Sequence, residues 1–405
     1  MIDFESINCC GCSACVSACP NDCLSMAPDK EGFLFPRVSA ADRCIECGKC
    51  ALACPVLNRK QEREVEQQAY IVQNTDEKTR LQSTSGGAFS AIAEETLRRG
   101  GVVYGAAYDP VFQVVHLEAE SADDLWKFRN SKYVQSNMDG VFGRILDRLN
   151  SGRFVCFSGT PCQVEGLLAF LGKSYDRLIT VDVVCHAIGS PLIWQKYLEL
   201  TSGTDKDQIC FRWKHYGYKY STMSFFQGGK EVYFNGVESD PMLRAYFTNN
   251  CARNSCYDCP FKKRFRASDI TIWDCYHPEI FDKTFSDDKG TSSVLIHSEK
   301  GKLFFDTVLK SGSLRFVEIV PDRLVENCRE MTESVQRGDI RDALLRDASN
   351  LSGAELFEKY FPVNAITKTK KVMRLMLLKL GVYSMIQRFL YKRRARKTSS
   401  GKGDM

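Results

Sequence analysis

The sequence has no run of about 18 apolar residues free of charge, so no membrane-spanning helix is expected. It opens Met1-Ile2-Asp3-Phe4-Glu5, acidic and without an apolar stretch, so no secretory signal is expected. No G-x-G-x-x-G follows an expected strand and no P-loop occurs, which removes two common nucleotide-site readings. Histidine is scarce. The five residues His116, His186, His215, His277 and His297 are scattered, and nothing arranges them for hydrolysis. Each reads as structural, and His186, beside Cys185, is the first to test.

Cysteine is abundant: nineteen thiols in 405 residues. Without a secretory signal the compartment reads as reducing and cytoplasmic, where thiols bind metal more often than they form disulfides. The hydrophobic fraction of 44% and charged fraction of 26% fit a soluble globular chain of two to four domains. The net charge of +5 hides an asymmetry. Residues 368–397 hold eleven Lys and Arg and no acid, leaving 44 bases against 50 acids elsewhere. A body of that sign is a poor match to nucleic acid.

Residues 1–58 carry ten of the cysteines, and Arg59 to Gln68 is a charged linker or exposed helix. Ala69-Tyr70-Ile71-Val72 reads as a strand, and Ser83 to Gly87 opens a helix over 88–99 that stops at Gly100-Gly101. Strands follow over 102–108 and 111–117, helices near 121–128 and 139–150, and a short strand at 154–157. Gly159-Thr160-Pro161-Cys162 turns that strand into a helix with proline near its first turn. A strand over 178–184, a helix over 191–200 and strands near 208–213, 220–226 and 231–235 come next. Strands 269–273 and 293–297 and a helix over 298–310 complete the pattern. The alternation predicts an α+β chain: a small ferredoxin-like N-terminal domain, a mixed α/β body and a basic helical C-terminal tail.

Cys9, Cys12, Cys15 and Cys19 are spaced C-x2-C-x2-C-x3-C before Pro20. Cys44, Cys47, Cys50 and Cys54 repeat the spacing before Pro55. Three thiolates two residues apart wrap three corners of a [4Fe–4S] cube, and the fourth points away to the other cube, as in bacterial two-cluster ferredoxins. Cys54 is therefore expected to complete the first cluster and Cys19 the second. Zinc or metal-free thiols are the alternatives. Cys10 and Cys23 fall off the spacing and read as small structural thiols.

Cys251, Cys256 and Cys259 form a third group, C-x4-C-x2-C, which needs a distant fourth thiol. Cys162, Cys185 and Cys275 are candidates. Cys162 sits where a helix N-terminus would favour its thiolate. A third cluster is the leading reading, with zinc or a metal-free loop as alternatives. The turns Ser85-Gly86-Gly87 and Gly159-Thr160-Pro161-Cys162 each precede a helix, where free backbone N–H groups suit a phosphate. Lys132 could neutralise it. Each turn alone also reads as an ordinary connector.

Thr84-Ser85-Gly86-Gly87-Ala88, Ser131-Lys132-Tyr133-Val134-Gln135, Gly159-Thr160-Pro161-Cys162-Gln163, Val184-Cys185-His186, Cys256-x-x-Cys259-Pro260-Phe261 and Ser268-Asp269-Ile270-Thr271-Ile272 occur together in this order. Over residues 1–345 the chain resembles the coenzyme F-420 hydrogenase/dehydrogenase beta-subunit family with an N-terminal ferredoxin domain. The resemblance implies a ferredoxin domain over 1–58, a flavin-binding body in two parts over 69–155 and 156–345, and the tail over 346–405. It also implies FAD held by Ser85, Gly86, Gly87, Lys132, Gly159, Thr160 and Pro161. Two [4Fe–4S] clusters in the ferredoxin domain and a third on Cys251, Cys256 and Cys259 with Cys162 or Cys185 would accompany it. The implied activity moves electrons between the clusters and a two-electron hydride carrier or substrate, with a redox partner protein. A non-catalytic electron-transfer subunit is the alternative. Family members often carry Gly-Asp-Phe where this chain has Trp273-Asp274-Cys275, which would crowd a flavin and alter the substrate.

In the tail, Val372, Met373, Leu375, Met376, Leu377, Leu378, Leu380, Val382 and Met385 supply apolar area. Lys368, Lys370, Lys371, Arg374, Lys379 and Lys392-Arg393-Arg394 supply charge. The pattern suits an acidic surface such as anionic lipid, with a helix packed on the body and a solvated end, or nucleic acid, as the alternatives.

Overall fold

The computed structural model describes residues 7–59, 61–326, 328–383 and 386. Thirteen strands are present among them: β1 (Leu24–Pro28), β2 (Leu34–Val38), β3 (Gln68–Asn74), β4 (Val102–Tyr108), β5 (Val114–Ala119), β6 (Val155–Gly159), β7 (Leu178–Val183), β8 (Gln208–Trp213), β9 (Thr222–Gln227), β10 (Lys230–Asn235), β11 (Ile270–Asp274), β12 (Ser292–Ile296) and β13 (Leu314–Ile319).

The main sheet has eight strands in the order β13-β3-β12-β11-β7-β6-β4-β5. The four central strands β11, β7, β6 and β4 run parallel. Such strands read as near-continuous apolar runs because helices must cover both faces. On one face the helices Ala88–Arg98 and Glu299–Lys310 bury Ile92, Phe304 and Phe305 against Val72, Val103, Val181 and Ile270. On the other, the helices Val141–Asn150 and Pro161–Leu171 press Phe142, Ile145 and Leu167 onto Tyr104, Val155 and Phe157. Each side chain of this kind contributes about 1.5–3 kcal/mol when fully buried.

A smaller antiparallel sheet, β10-β9-β8, packs with the helices Pro191–Leu200, Pro241–Phe247, Arg341–Ala348 and Gly353–Tyr360 around Trp194, Tyr197, Phe211 and Phe225. The N-terminal segment has little core of its own. It consists of the β1–β2 hairpin, two single-turn helices and the cysteine loops. It is held to the body by an ion pair from Arg341 to Glu31 and by Gln135, whose Oε1 accepts the Leu34 N–H at 2.7 Å.

Several elements differ from the sequence expectation. β5 starts at Val114 because the Asp109 carboxylate takes the N–H groups of Val111 and Gln113, and Phe112 adopts a left-handed φ of 61°. Residues Ala122–Phe128 form 3-10 turns. Residue 155, the expected division within the body, is the first residue of β6, and strands from both parts share the main sheet. The segment after 346 begins in the core, where Leu356 and Phe357 are buried. The helix Ala365–Lys379 then lies on the body: Arg374 pairs with Glu238 at 2.9 Å and Lys371 donates to Asn235. This is the alternative of a helix packed on the body, with one acidic partner, Glu238. Met385 and Lys392-Arg393-Arg394 lie outside the described residues. Among the described residues no helix is long and apolar enough to cross a membrane.

Candidate metal and cofactor site

The two cysteine runs of the N-terminal segment line two cavities. One, enclosing about 320 Å³, is walled by Cys9, Cys12, Cys15 and Cys54 together with Cys10. The other, about 390 Å³, is walled by Cys19, Cys44, Cys47 and Cys50 together with Cys23. The fourth cysteine of each run has crossed to the other run's cavity, as the spacing predicts. Four thiols around an apolar void fit a cubane. One zinc ion would instead need four sulfurs about 2.3 Å from a single point.

The third group is assembled by the body. Cys162 opens the helix after β6, Cys185 follows β7, and Cys256 and Cys259 lie in the loop before β11. Cys185 faces Cys256, Cys162 and Cys259 closely enough for their charges to interact, and Cys256 and Cys259 each face Cys162. Both candidates for a fourth ligand are therefore present together. Burial pushes Cys256 up to about 12 and Cys259 up to about 11, and raises Cys185 well above the ordinary thiol range. Such thiols give up a proton readily only to a metal. Cys162 does not show the helix-favoured thiolate expected. Its contact with the Cys10 thiol, then burial, raises it well above the usual value.

Cys251 does not join this group, contrary to the spacing. It is fully buried in the aromatic core that holds Trp194 and Tyr246, and the Arg341 guanidinium acts on it. Cys275 packs with Phe285 and Leu295 in another cluster. His186 turns away from the thiols to Asn249 at 2.7 Å. Cys10, which the spacing left aside, packs among Cys54, Cys162 and Cys259 and so joins the first cavity to the third group.

The other expected site residues lie along the carboxyl ends of the parallel strands, where ligands of such sheets bind. The Ser85-Gly86-Gly87 turn sits at the end of β3, Gly159-Thr160-Pro161 at the end of β6, and Asp274 at the end of β11. Thr84 and Ser131 share a hydrogen bond at 2.9 Å, bringing the first turn beside Lys132.

Neither turn is the open amide cradle expected for phosphate. The Gly86 N–H donates to Ser292 Oγ at 2.8 Å, and Ser85 Oγ donates to Thr291 O. Gly86 is a glycine because a Cβ there would lie 2.4 Å from Val72 O and 2.5 Å from Ser292 N. Its substitution would break the packing of loop on sheet, so it is no clean probe of a cofactor. The Thr160 N–H donates to Gln163 Oε1, closing a capping box that positions Cys162.

Lys132 does fit an anion. It donates to Arg129 O and Asn130 O, leaving one of its three N–H groups, and burial lowers it to about 8. It lies 5.5 Å over the Tyr108 ring, and the buried Tyr108 hydroxyl has no hydrogen-bond partner. Lys214, which the sequence reading passed over, spends all three donors on Arg80 O, Ser85 O and Lys289 O and so fixes the Ser85 turn. Arg212, also passed over, is buried, pairs with Asp274 at 2.7 Å and stacks beside Tyr218 and Tyr276. No local spacing marks these residues.

Residues 152–322 match the family model for the C terminus of the coenzyme F420 hydrogenase/dehydrogenase beta subunit. Residues 8–58 match the 4Fe-4S dicluster domain. A search of curated proteins finds no match. One similar solved structure is a chain of the F420-reducing [NiFe] hydrogenase complex from Methanosarcina barkeri, solved as a xenon derivative. It aligns at 16% identity with a TM-score of 0.44, covering 72% of this chain and 89% of that one. Residues 152–322 thus resemble the C terminus of the coenzyme F420 hydrogenase/dehydrogenase beta subunit, and residues 8–58 a 4Fe-4S dicluster domain.

Proposed function

We propose that the protein is an iron–sulfur flavoprotein oxidoreductase that passes electrons between a two-electron hydride carrier or substrate and [4Fe–4S] clusters. The observation that carries the reading is the meeting of Cys162, Cys185, Cys256 and Cys259 at the carboxyl edge of the sheet, with Cys10 joining them to the first ferredoxin cavity. An isolated ferredoxin domain would need no such third group.

In this reading Cys9, Cys12, Cys15 and Cys54 hold the inner cluster, and Cys19, Cys44, Cys47 and Cys50 the outer one. Cys162, Cys185, Cys256 and Cys259 hold the third. FAD, when bound, supplies the junction between hydride and single-electron chemistry. Lys132 is the residue here that suits its pyrophosphate. Trp273, half-buried at the end of β11, limits room at that edge. The outer cavity opens to the surface at Cys47, and Ile45 and Leu52 nearby are 65% and 71% exposed. That apolar rim suits a redox partner protein.

The test is anaerobic purification with iron, acid-labile sulfide and flavin counted against protein, followed by reduction with a hydride donor. Flavin together with about twelve irons per chain supports the reading. Lys132→Met is expected to lose flavin and keep its iron. Wild-type protein that never takes up FAD or FMN, even after reconstitution, leaves the electron-transfer subunit as the better account.

A further inference from the structure

The buried arginines of this protein are paired with carboxylates, with one exception. Arg341 faces Glu31, Arg266 faces Asp182, Arg212 faces Asp274 and Arg80 faces Asp287. Arg253 is 1% exposed, and no carboxylate among the described residues forms an ion pair with it. Its Nε donates to Cys9 O at 2.9 Å, and its Nη1 to Leu34 O and Gln135 Oε1 at 3.1 and 3.3 Å. Its Nη2 is buried and meets no oxygen acceptor, while the guanidinium as a whole is drawn to the Cys9 thiol. The guanidinium carbon lies 3.8 Å from the centre of the Phe35 ring, which removes water from that side. An uncompensated buried cation is costly, so a native structure that keeps one implies a missing anion.

The groups that face it are sulfurs. Arg253 acts electrostatically on Cys9 of the first cavity and on Cys162 and Cys256 of the third group. Its backbone stands three residues before Cys256, while its side chain reaches into the N-terminal segment. Gly11 makes room for it. A Cβ at Gly11 would lie 3.0 Å from Arg253 Nη1 and 2.5 Å from Gln135 Nε2, and φ there is +73°. The glycine inside the first cysteine run thus admits a cation supplied by the body. The cation that acts on the outer cavity, Arg43 beside Cys23, is by contrast exposed and already faces a carboxylate, Asp22.

We infer that Arg253 is the shared counter-charge of the inner and third clusters and raises the reduction potential of both relative to the outer one. This rests on the three-cluster reading above. A cysteine-ligated cluster is anionic, and reduction adds negative charge. A fixed cation beside it stabilises the reduced form, and charge and hydrogen bonds around the sulfurs are established levers on potential. One guanidinium placed between two clusters makes their junction the electron-rich point of the route, with the outer cluster as the less favourable exit.

The test is a redox titration of the full-length protein followed by electron paramagnetic resonance, with iron counted in every sample. In Arg253→Met the oxidised-to-reduced ratio of the inner and third clusters at fixed potential is expected to rise at least tenfold, about 59 mV for a one-electron couple. The outer cluster is expected to stay within error. Arg253→Lys keeps the charge and is expected to hold most of the wild-type value. Gly11→Ala pushes on the guanidinium from the inner side and is expected to lower the inner potential alone. Unchanged potentials in an iron-replete Arg253→Met protein, or an equal fall in all three, overturn the inference. If Arg253→Met does not accumulate, an unchanged inner potential in Gly11→Ala overturns it. A wild-type protein with only two cluster signals sinks the three-cluster reading instead, and the inner-against-outer comparison still decides the role of Arg253.

Discussion

The inner cavity of the N-terminal segment is walled in part by Cys12, Cys15 and Cys54, all buried, and the body closes on it through Arg253 and through Cys162, which meets Cys10. The outer cavity is built on the same spacing, yet Cys47 is exposed and Cys19, Cys44 and Cys50 are only partly covered. One motif therefore serves two ends. The inner copy is tied to the third thiol group, and the outer copy is left facing solvent with Ile45 and Leu52 beside it. Spacing makes a cluster site, and the surroundings decide what it connects to.

The strongest way to break this comparison is to remove one thiol from each cavity. Cys47→Ala is expected to lose about four irons and leave the inner and third sites intact. Cys15→Ala is expected to lose a similar amount and also to loosen the N-terminal segment, since Arg253 then lacks part of its counter-charge. Limited proteolysis within residues 61–67 measures the second effect. Equal susceptibility in the two variants refutes the difference between inner and outer.

The third group gives the next largest contrast. Cys256→Ser is expected to remove about a third of the iron. Cys251→Ala is expected to keep all of it and to cost roughly 1 kcal/mol of stability through a small cavity. Iron loss in Cys251→Ala would return that residue to the ligand set.

Acid separates the body from the segment. Burial pulls His116 down to about 4 and His297 down to about 3. The unfolded histidines titrate near 6.5, so between that value and about 4 the unfolded chain binds two protons that the native body refuses. Stability is therefore fully present above about pH 6.5. It is expected to fall as pH drops through that window, by at most roughly 3 kcal/mol per pH unit for the pair. Replacing both by Gln flattens the slope, measured by denaturant unfolding at pH 7 and pH 5. A slope that persists in the double variant assigns it to other groups.

The smallest effect belongs to the tail. Met373 and Met376 are exposed on the helix Ala365–Lys379, as is Leu380 just after it, while Arg374 is engaged with Glu238 and lies over Tyr220 at 4.0 Å. Full-length protein is expected to float modestly with anionic liposomes, each free cation contributing about 1 kcal/mol. A chain ending at Pro362 that floats equally well removes the membrane from the account.

The strands of the main sheet other than β13 were legible because most are short apolar runs bounded by glycine, proline or charge. β13 and the helices Arg341–Ala348 and Gly353–Tyr360 were not read. β13 is an edge strand buried only at its two ends, and the two helices are short with polar and apolar residues mixed, so only their docking shows which face is buried. The expected cradles failed for a related reason. A glycine-rich turn before a helix looks the same whether its amides face a ligand or, as at Gly86, a neighbouring strand.

The sequence by itself determined the doubled ferredoxin motif and the exchange of Cys19 and Cys54 between its cavities. Three cysteines two residues apart can curl around only one centre, and a helical turn carries the fourth away. Only the tertiary structure decided that Cys251 leaves the third group, that Cys162 and Cys185 both enter it, and that Cys10 and Arg253 join it to the inner cavity. Those residues come from β6, β7, the loop before β11 and the N-terminal segment. Their meeting depends on which strands lie side by side, and no local spacing encodes that.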